Sequence, residues 1–205
     1  AGGISQNDIA TTLAFNNGLS LLTLTKSELV AVLEHGVGAI PDVSGRFPQV
    51  SGVEFSYDPD LPVGSRIVNA TIVDQDGNPV AGGELVENGT LVSDADTPVR
   101  IVTLGFLADG GAGYPVPTGA AADRVDLDTG SFFTGDATFA PDGTEQDALA
   151  EYLVDNFADP VNAFDQVDTG RDLDERIQNL NVRGDTIFDQ QGSTTVDLTG
   201  DPELV

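Results

Sequence analysis

A strand that runs directly into a helix is the strongest constraint on how this chain folds. The segment Leu19-Ser20-Leu21-Leu22-Thr23-Leu24 is apolar and only loosely alternating, the pattern of a strand buried on most of both faces. Thr25 and Glu28 then stand at capping-box spacing. The Thr hydroxyl accepts from an orphan amide of the first turn while the Glu reaches back to the cap. Leu29, Val30, Leu33 and Val37 fall on one helical face, and Gly36 and Gly38 offer stops.

The rest of the chain alternates strands with turns. Turn residues fill 41–48; Val50 to Tyr57 alternates, as does Arg66 to Val73, and Asp76-Gly77 is a hairpin turn. A strand from Val99 to Leu104 enters the glycine-rich turn Asp109-Gly110-Gly111-Ala112-Gly113, and Gly119 to Pro141 reads as mostly irregular. A second helix opens at Thr144, with Asp147 at capping distance and Ala148, Leu149, Tyr152 and Leu153 as its buried stripe. Thr186-Ile187-Phe188 is a late strand-like patch. No internal repeat or linker is visible. Strands with interspersed helices and hairpin turns imply an α+β domain, a mixed sheet packed with helices. The expected organisation is a single domain over 1–158 and an acidic extension, 159–205, packed on it.

Composition excludes several chemistries. The 205 residues include 34 acids, 8 bases and one histidine, with no cysteine, methionine or tryptophan, and the formal charge is −26. At 40% hydrophobic there is material for a core. Such a charge repels phosphate backbones and anionic lipid, so nucleic acid is not an expected partner. There is no thiolate chemistry and no His-rich metal centre. The acidity, with Lys26 as sole lysine, suits the hydrated surface of a secreted or salt-adapted protein, or a calcium-dependent extracellular module. No apolar run approaches a membrane span and no signal peptide is visible. A chain that starts Ala1-Gly2-Gly3 without any methionine reads as a processed product or a piece of something longer.

Few residues look chemical. Gly110, Gly111 and Gly113 match neither the dinucleotide nor the Walker spacing, so they read as a tight loop or as backbone that approaches a ligand closely. His35 sits near a helix end, where a cationic ring suits the dipole; a Ser-His-Asp arrangement has no support. Asp74, Asp76 and Asn78 alternate like the start of a calcium loop, but the early Gly77 favours a hairpin turn. Asp123, Asp126 and Asp128 are a looser calcium candidate. Phe15 and Phe106, taken singly, belong in a core. Their place at strand ends beside Gly- and Asn-rich turns makes a stacking site conceivable.

Several ordered blocks resemble the C-terminal domain of the 5′-nucleotidase family. They begin with Gly3-Ile4-Ser5-Gln6-Asn7-Asp8-Ile9 and Leu13-Ala14-Phe15-Asn16-Asn17, where the family usually reads leucine-proline-phenylalanine-glycine-asparagine. Leu29, Glu34-His35-Gly36-Val37, Phe47-Pro48-Gln49-Val50-Ser51-Gly52, Phe55-Ser56-Tyr57-Asp58 and Val63-Gly64-Ser65-Arg66-Ile67 follow. The run from Gly105-Phe106 to Tyr114-Pro115 closes the match, which fades after Tyr152.

The resemblance implies a domain that binds a nucleoside or nucleotide. Its partner is an N-terminal metallophosphoesterase domain of the parent chain that holds two divalent metal ions and performs hydrolysis. It implies a base sandwiched by Phe15 and Phe106, with Asn16, Gly110, Gly111 and Gly113 also in the site. No catalytic residue and no cofactor are expected in this chain, and the location implied is extracellular or periplasmic. Two departures stand out. Ala112 replaces the family's ribose-binding aspartate, and the Asn-x-Gly-x-Ile-Arg motif, whose arginine contacts phosphate, should lie just upstream of Ala1. The expected outcome is weak binding of nucleosides and weaker binding of nucleotides. The alternative is a non-catalytic extracellular structural or calcium-binding module that retains the fold.

Overall fold

The computed structural model describes residues 3–129, 138–163 and 170–190. Helix α1 (Gln6–Thr12), strand β1 (Leu19–Thr25) and helix α2 (Lys26–Val37) come first. Strands β2 (Val53–Tyr57), β3 (Ile67–Val73), β4 (Pro79–Glu87), β5 (Thr90–Leu91) and β6 (Pro98–Leu104) follow. Then come the one-turn helix α3 (Gly105–Ala108), strand β7 (Val125–Asp126), helix α4 (Glu145–Phe157), strand β8 (Ile177–Asn179) and helix α5 (Ile187–Gln190). Contacts divide the chain into two compact units, Ala1–Val32 with Asp94–Asp168 and Leu33–Ser93 with Thr169–Val205. The fold is α+β, as expected.

The first unit is built on an antiparallel sheet in the order β6-β1-β7, with Leu19 opposite Leu104 and Thr25 opposite Pro98. Strand β1 buries Ser20, Leu22 and Leu24, while Leu19, Leu21, Thr23 and Thr25 stay half-buried. The cap predicted at Thr25 is present: its N–H donates to Glu28 Oε2 at 2.7 Å, and Glu28 N–H donates to Thr25 Oγ1 at 3.2 Å. At the same helix start the buried Lys26 ammonium meets Asp94 at 2.7 Å.

The second unit carries a mixed sheet, β5-β4-β3-β2-β8, in which only the β2–β8 pair is parallel. Its core holds Leu33, Val37, Phe55, Ile67, Ala70, Leu85 and Ile177. Two buried charged groups join α2 to β3 there. Glu34 accepts from Arg66 N–H at 3.0 Å and from Ile67 N–H at 2.7 Å. Arg66 Nη1 donates to the carbonyls of Val37 at 2.8 Å and Ile40 at 2.9 Å, and its Nε donates to Leu61 O at 3.1 Å. A carboxylate thus covers the first amides of a strand while a guanidinium covers carbonyls that the end of a helix leaves without partners. Gly36 is not a stop, because α2 continues to Val37. A Cβ at position 36 would sit 2.6 Å from the Pro48 ring, so glycine there serves close packing.

Two local expectations are corrected, for α5 and for the buried face of α4, and α1 is an element without a periodic signal in the sequence. Helix α1 has no apolar stripe to announce it, since Ile9 is its only buried residue; the reciprocal Ser5–Asp8 cap starts it. Thr186-Ile187-Phe188 opens α5 instead of a strand, because Asp189 reaches back to the N–H and hydroxyl of Thr186. In α4 the buried residues are Gln146, Asp147 and Ala150, whereas Ala148 and Tyr152 are exposed. The polar first turn of α4 faces inward because it holds neighbouring loops. The irregular stretch expected over 119–141 contains a short 3-10 turn, Ala120–Ala122, and β7; its part at 130–137 lies outside the described residues.

The Glu34–Arg66 arrangement generates a stability prediction. Glu34→Ala leaves two buried amides without acceptors, and Arg66→Ala uncovers the α2 carbonyls. Each is expected to cost about 3 kcal/mol, the scale of losing charge-assisted hydrogen bonds in a buried setting. Urea unfolding checks this, and a loss below about 1 kcal/mol contradicts it.

Candidate functional site

The residues singled out as a stacking site all belong to the first unit. Strand β1 begins opposite the end of β6, and Gly105 N–H donates to Gly18 O at 2.7 Å. Phe15 and Phe106 therefore leave the same end of one ladder, Phe15 just before β1 and Phe106 just after β6. The expectation that each is core when taken singly does not hold. Phe15 is 90% exposed and Phe106 is 54% exposed. Among the described residues, ring contacts link Phe47 with Tyr57, Phe55 with Tyr57 and Tyr152 with Phe157; Phe15 and Phe106 make none. Phe15 is therefore almost wholly open to solvent, and Phe106 keeps about half of its surface open.

The loop that carries Phe15 is tied down behind the ring. Asn17 N–H and Nδ2 donate to Glu145 Oε1 at 2.7 and 3.0 Å, and Glu145 N–H donates to Asn17 O at 2.9 Å. Gln146 N–H donates to Asn16 Oδ1 at 3.3 Å, and Gln146 Nε2 to Leu13 O at 2.8 Å. The first turn of α4, whose amides lack intrahelical partners, is thus the anchor of the loop. Asn16, named from sequence as a site residue, uses its side-chain carbonyl on that helix and sits at φ 46°. Sequence reasoning missed Glu145 and Gln146, whose partners lie 128 to 133 residues away.

The glycine loop serves Phe106. A Cβ on Gly111 would lie 2.6 Å from both Cε atoms of the Phe106 ring, so the ring rests against bare backbone. Gly110 and Gly113 take positive φ of 80° and 74°, and Ala112 also lies in the left-handed region at 54°. At the loop's root Asp109 pairs with Arg124. The same guanidinium meets Asp126 at 2.6 Å, and Ser20 Oγ donates to that carboxylate at 2.6 Å. The Ser20 hydroxyl, and after it the Arg124 side chain, hold the Asp126 carboxyl below the usual aspartate range. Among the described residues, one cavity of about 430 Å³ lies around Phe47, Tyr57 and Arg171, and another of about 470 Å³ around Ile9, Phe139 and Val154. Neither is lined by Phe15 or Phe106.

The other candidates have local roles. Of the loose calcium trio, Asp126 is engaged as above and Asp123 pairs with Arg100 at 3.0 Å. The Asp128 carboxylate occupies the space that a side chain on Gly18 would need. Among the described residues no three His, Cys, Asp or Glu side chains gather as a metal site. Asp74 accepts from the N–H groups of Asp76 and Asn78 at 2.9 Å each, the turn expected there. His35 lies in the last turn of α2. No helix among the described residues is long and apolar enough to cross a membrane.

Comparison with known proteins agrees with the motif blocks. The family model described as "5'-nucleotidase, C-terminal domain" matches residues 1–119. A trifunctional nucleotide phosphoesterase, YfkN of Bacillus subtilis, is 28% identical over 120 residues, 58% of this chain and 8% of that protein. A 5'-nucleotidase of Diplobatis ommata is 29% identical over 130 residues, 63% of this chain and 21% of that protein. The chain therefore spans a small part of the curated relatives it matches. The crystal structure of a 5'-nucleotidase precursor from Thermus thermophilus superposes with a TM-score of 0.61 at 28% identity, covering 87% of this chain and 28% of that one.

The Asp126 environment yields a pH prediction. Its folded pKa is depressed, so its contribution to stability is present above about pH 3.9, the unfolded value, and is lost as pH falls through the lower folded value. Carboxyl ¹³C NMR is expected to show Asp126 titrating below that value, and Ser20→Ala to raise the midpoint. A midpoint of about 3.9 in the native protein contradicts the assignment.

Proposed function

The chain belongs to the 5′-nucleotidase C-terminal domain family, and from that premise we propose that it is the nucleoside-binding part of a 5′-nucleotidase-like phosphohydrolase, with the base held between Phe15 and Phe106. The observation that carries this reading is the pair of exposed rings at one end of the β1–β6 ladder, each beside a loop held by side-chain hydrogen bonds. A single exposed ring is ordinary on a protein surface, so the reading rests on two rings leaving one end of the same ladder. Two rings on anchored loops suit a planar, largely uncharged guest. Base–aromatic stacking contributes about 1–3 kcal/mol per base and tolerates different bases. The backbone of Gly110, Gly111 and Gly113 flanks the Phe106 side of the site, and Asn16 supports the Phe15 side.

Hydrolysis belongs, in this proposal, to an N-terminal metallophosphoesterase domain of the parent chain with two divalent metal ions. The residues described here do not fit such a pair, because Asp123 and Asp126 already face guanidinium groups and no three candidate ligands converge. No catalytic step is assigned to this chain. Its contribution is to hold the nucleoside in position relative to the reacting phosphate. We further place the domain at 1–158 with 159–205 as an extension, and the parent outside the cytoplasm, in keeping with a chain of net charge −26. That charge disfavours a phosphorylated ligand more than a neutral one.

Isothermal titration with adenosine and AMP tests the reading. Adenosine is expected to bind, and AMP to bind more weakly at low ionic strength, with the gap closing as salt screens the surface. Phe15→Ala and Phe106→Ala are each expected to weaken adenosine binding about 5- to 150-fold. Gly111→Ala is expected to act like Phe106→Ala, because its methyl displaces the ring. Affinity indifferent to both phenylalanine substitutions sinks the proposal.

A further inference from the structure

Phe106 needs more support than its own helix supplies. Helix α3 spans only Gly105–Ala108, and a single helical turn has little stability of its own. Because the ring rests on Gly111, its position follows the position of the glycine loop. The root of that loop is Asp109, whose carboxylate accepts from Arg124 Nη1. Arg124 Nε donates to Asp126 Oδ1 at 2.6 Å, and Ser20 Oγ donates to the same oxygen at 2.6 Å. Asp126 lies in β7, opposite Ser20 in β1. One guanidinium therefore connects the loop to the central strand of the sheet.

Removing that guanidinium does more than delete hydrogen bonds. It leaves two carboxylates to repel each other at the loop root, in a chain already carrying a charge of −26. The Asp109 and Asp126 side chains are 69% and 39% exposed, so water and salt weaken that repulsion without removing it. Arg124 also lies beyond the residues that the family model matches, which end at 119. The brace thus joins Ser20 and Asp109, inside the matched residues, to Arg124 and Asp126 outside them.

We propose that Arg124 is a positioning residue for base stacking: by bridging Asp109 and Asp126 it fixes the glycine loop and, through Gly111, the Phe106 ring. The inference rests on the nucleoside-binding reading above, and it assigns Arg124 no contact with the ligand. Arg124 acts by limiting the ordering that the loop must undergo when a base binds.

The chain has no tryptophan, so Phe106→Trp supplies a single fluorescent reporter at the ring itself. In that background Arg124→Gln is expected to raise acrylamide quenching and lower emission anisotropy, and Arg124→Lys to recover part of both, since lysine restores the charge without the forked geometry. In the chain with native Phe106, Arg124→Gln is expected to weaken adenosine binding about tenfold. If Arg124→Gln unfolds the first unit by circular dichroism, Asp126→Ala replaces it, with the same expected readouts. Unchanged quenching and anisotropy overturn the proposal, and so does unchanged adenosine affinity in a chain that binds adenosine. A loosened ring in a chain whose native form binds no adenosine leaves the brace standing and removes the base-binding reading instead.

Discussion

Backbone groups left without partners at the ends of helices and strands decide where this chain places its buried polar side chains. A buried amide or carbonyl without a hydrogen bond costs on the order of 1–3 kcal/mol, so each such end demands a partner. In the second unit Glu34 and Arg66 answer that demand in both directions, the carboxylate on β3 amides and the guanidinium on α2 carbonyls. In the first unit Glu145 and Gln146 serve the loop before β1, and Thr25 and Glu28 serve the start of α2. The blocks Glu34-His35-Gly36-Val37 and Gly64-Ser65-Arg66-Ile67 meet in this way. Two short motifs that look like recognition marks in sequence turn out to be two halves of one structural joint.

The same demand shapes the candidate site. Loops that carry exposed aromatic rings gain nothing from burying those rings, so their order has to come from elsewhere. The Phe15 loop takes it from the first turn of α4, and the Phe106 loop from Arg124 and its two carboxylates. With these braces the rings stay exposed, Phe15 at 90% and Phe106 at 54%. The glycines complete this division of labour: Gly111 lacks a side chain so that Phe106 can lie against the loop. Asp123 and Asp126, two of the acids that suggested calcium in the sequence, serve as counter-charges to Arg100 and Arg124. Of the guanidinium groups, Arg124 bridges two carboxylates and Arg66 meets only backbone carbonyls.

Much of the fold was legible before any coordinates. The strand at 19–24, the Thr25 cap, the alternating strands β2 and β3, the turn at Asp74 and the strand into the glycine loop are all signalled by patterns within a few residues. What failed did so for physical reasons. Helix α1 buries only Ile9 and shows no periodicity. Helix α5 opens on three residues whose pattern cannot separate strand from helix, and the Asp189 side chain decides the matter. The buried stripe of α4 was placed on its apolar residues, whereas the helix turns its polar first turn inward to hold a loop. For the site, the two phenylalanines and the loop glycines were visible. Glu145, Gln146 and Arg124 were not, because nothing near them in sequence marks their function.

The sequence by itself determined the local elements, the acidic character and the family, since caps, alternation and ordered motif blocks are all read along the chain. Only the tertiary structure decided that Phe15 and Phe106 are exposed rather than core, that they leave one end of the same ladder, and that Arg124 stands behind the loop. A residue's exposure and a charge's partner depend on which distant segments cover it. That information arises when β1 pairs with β6 and β7, and it is absent from any window of neighbouring residues.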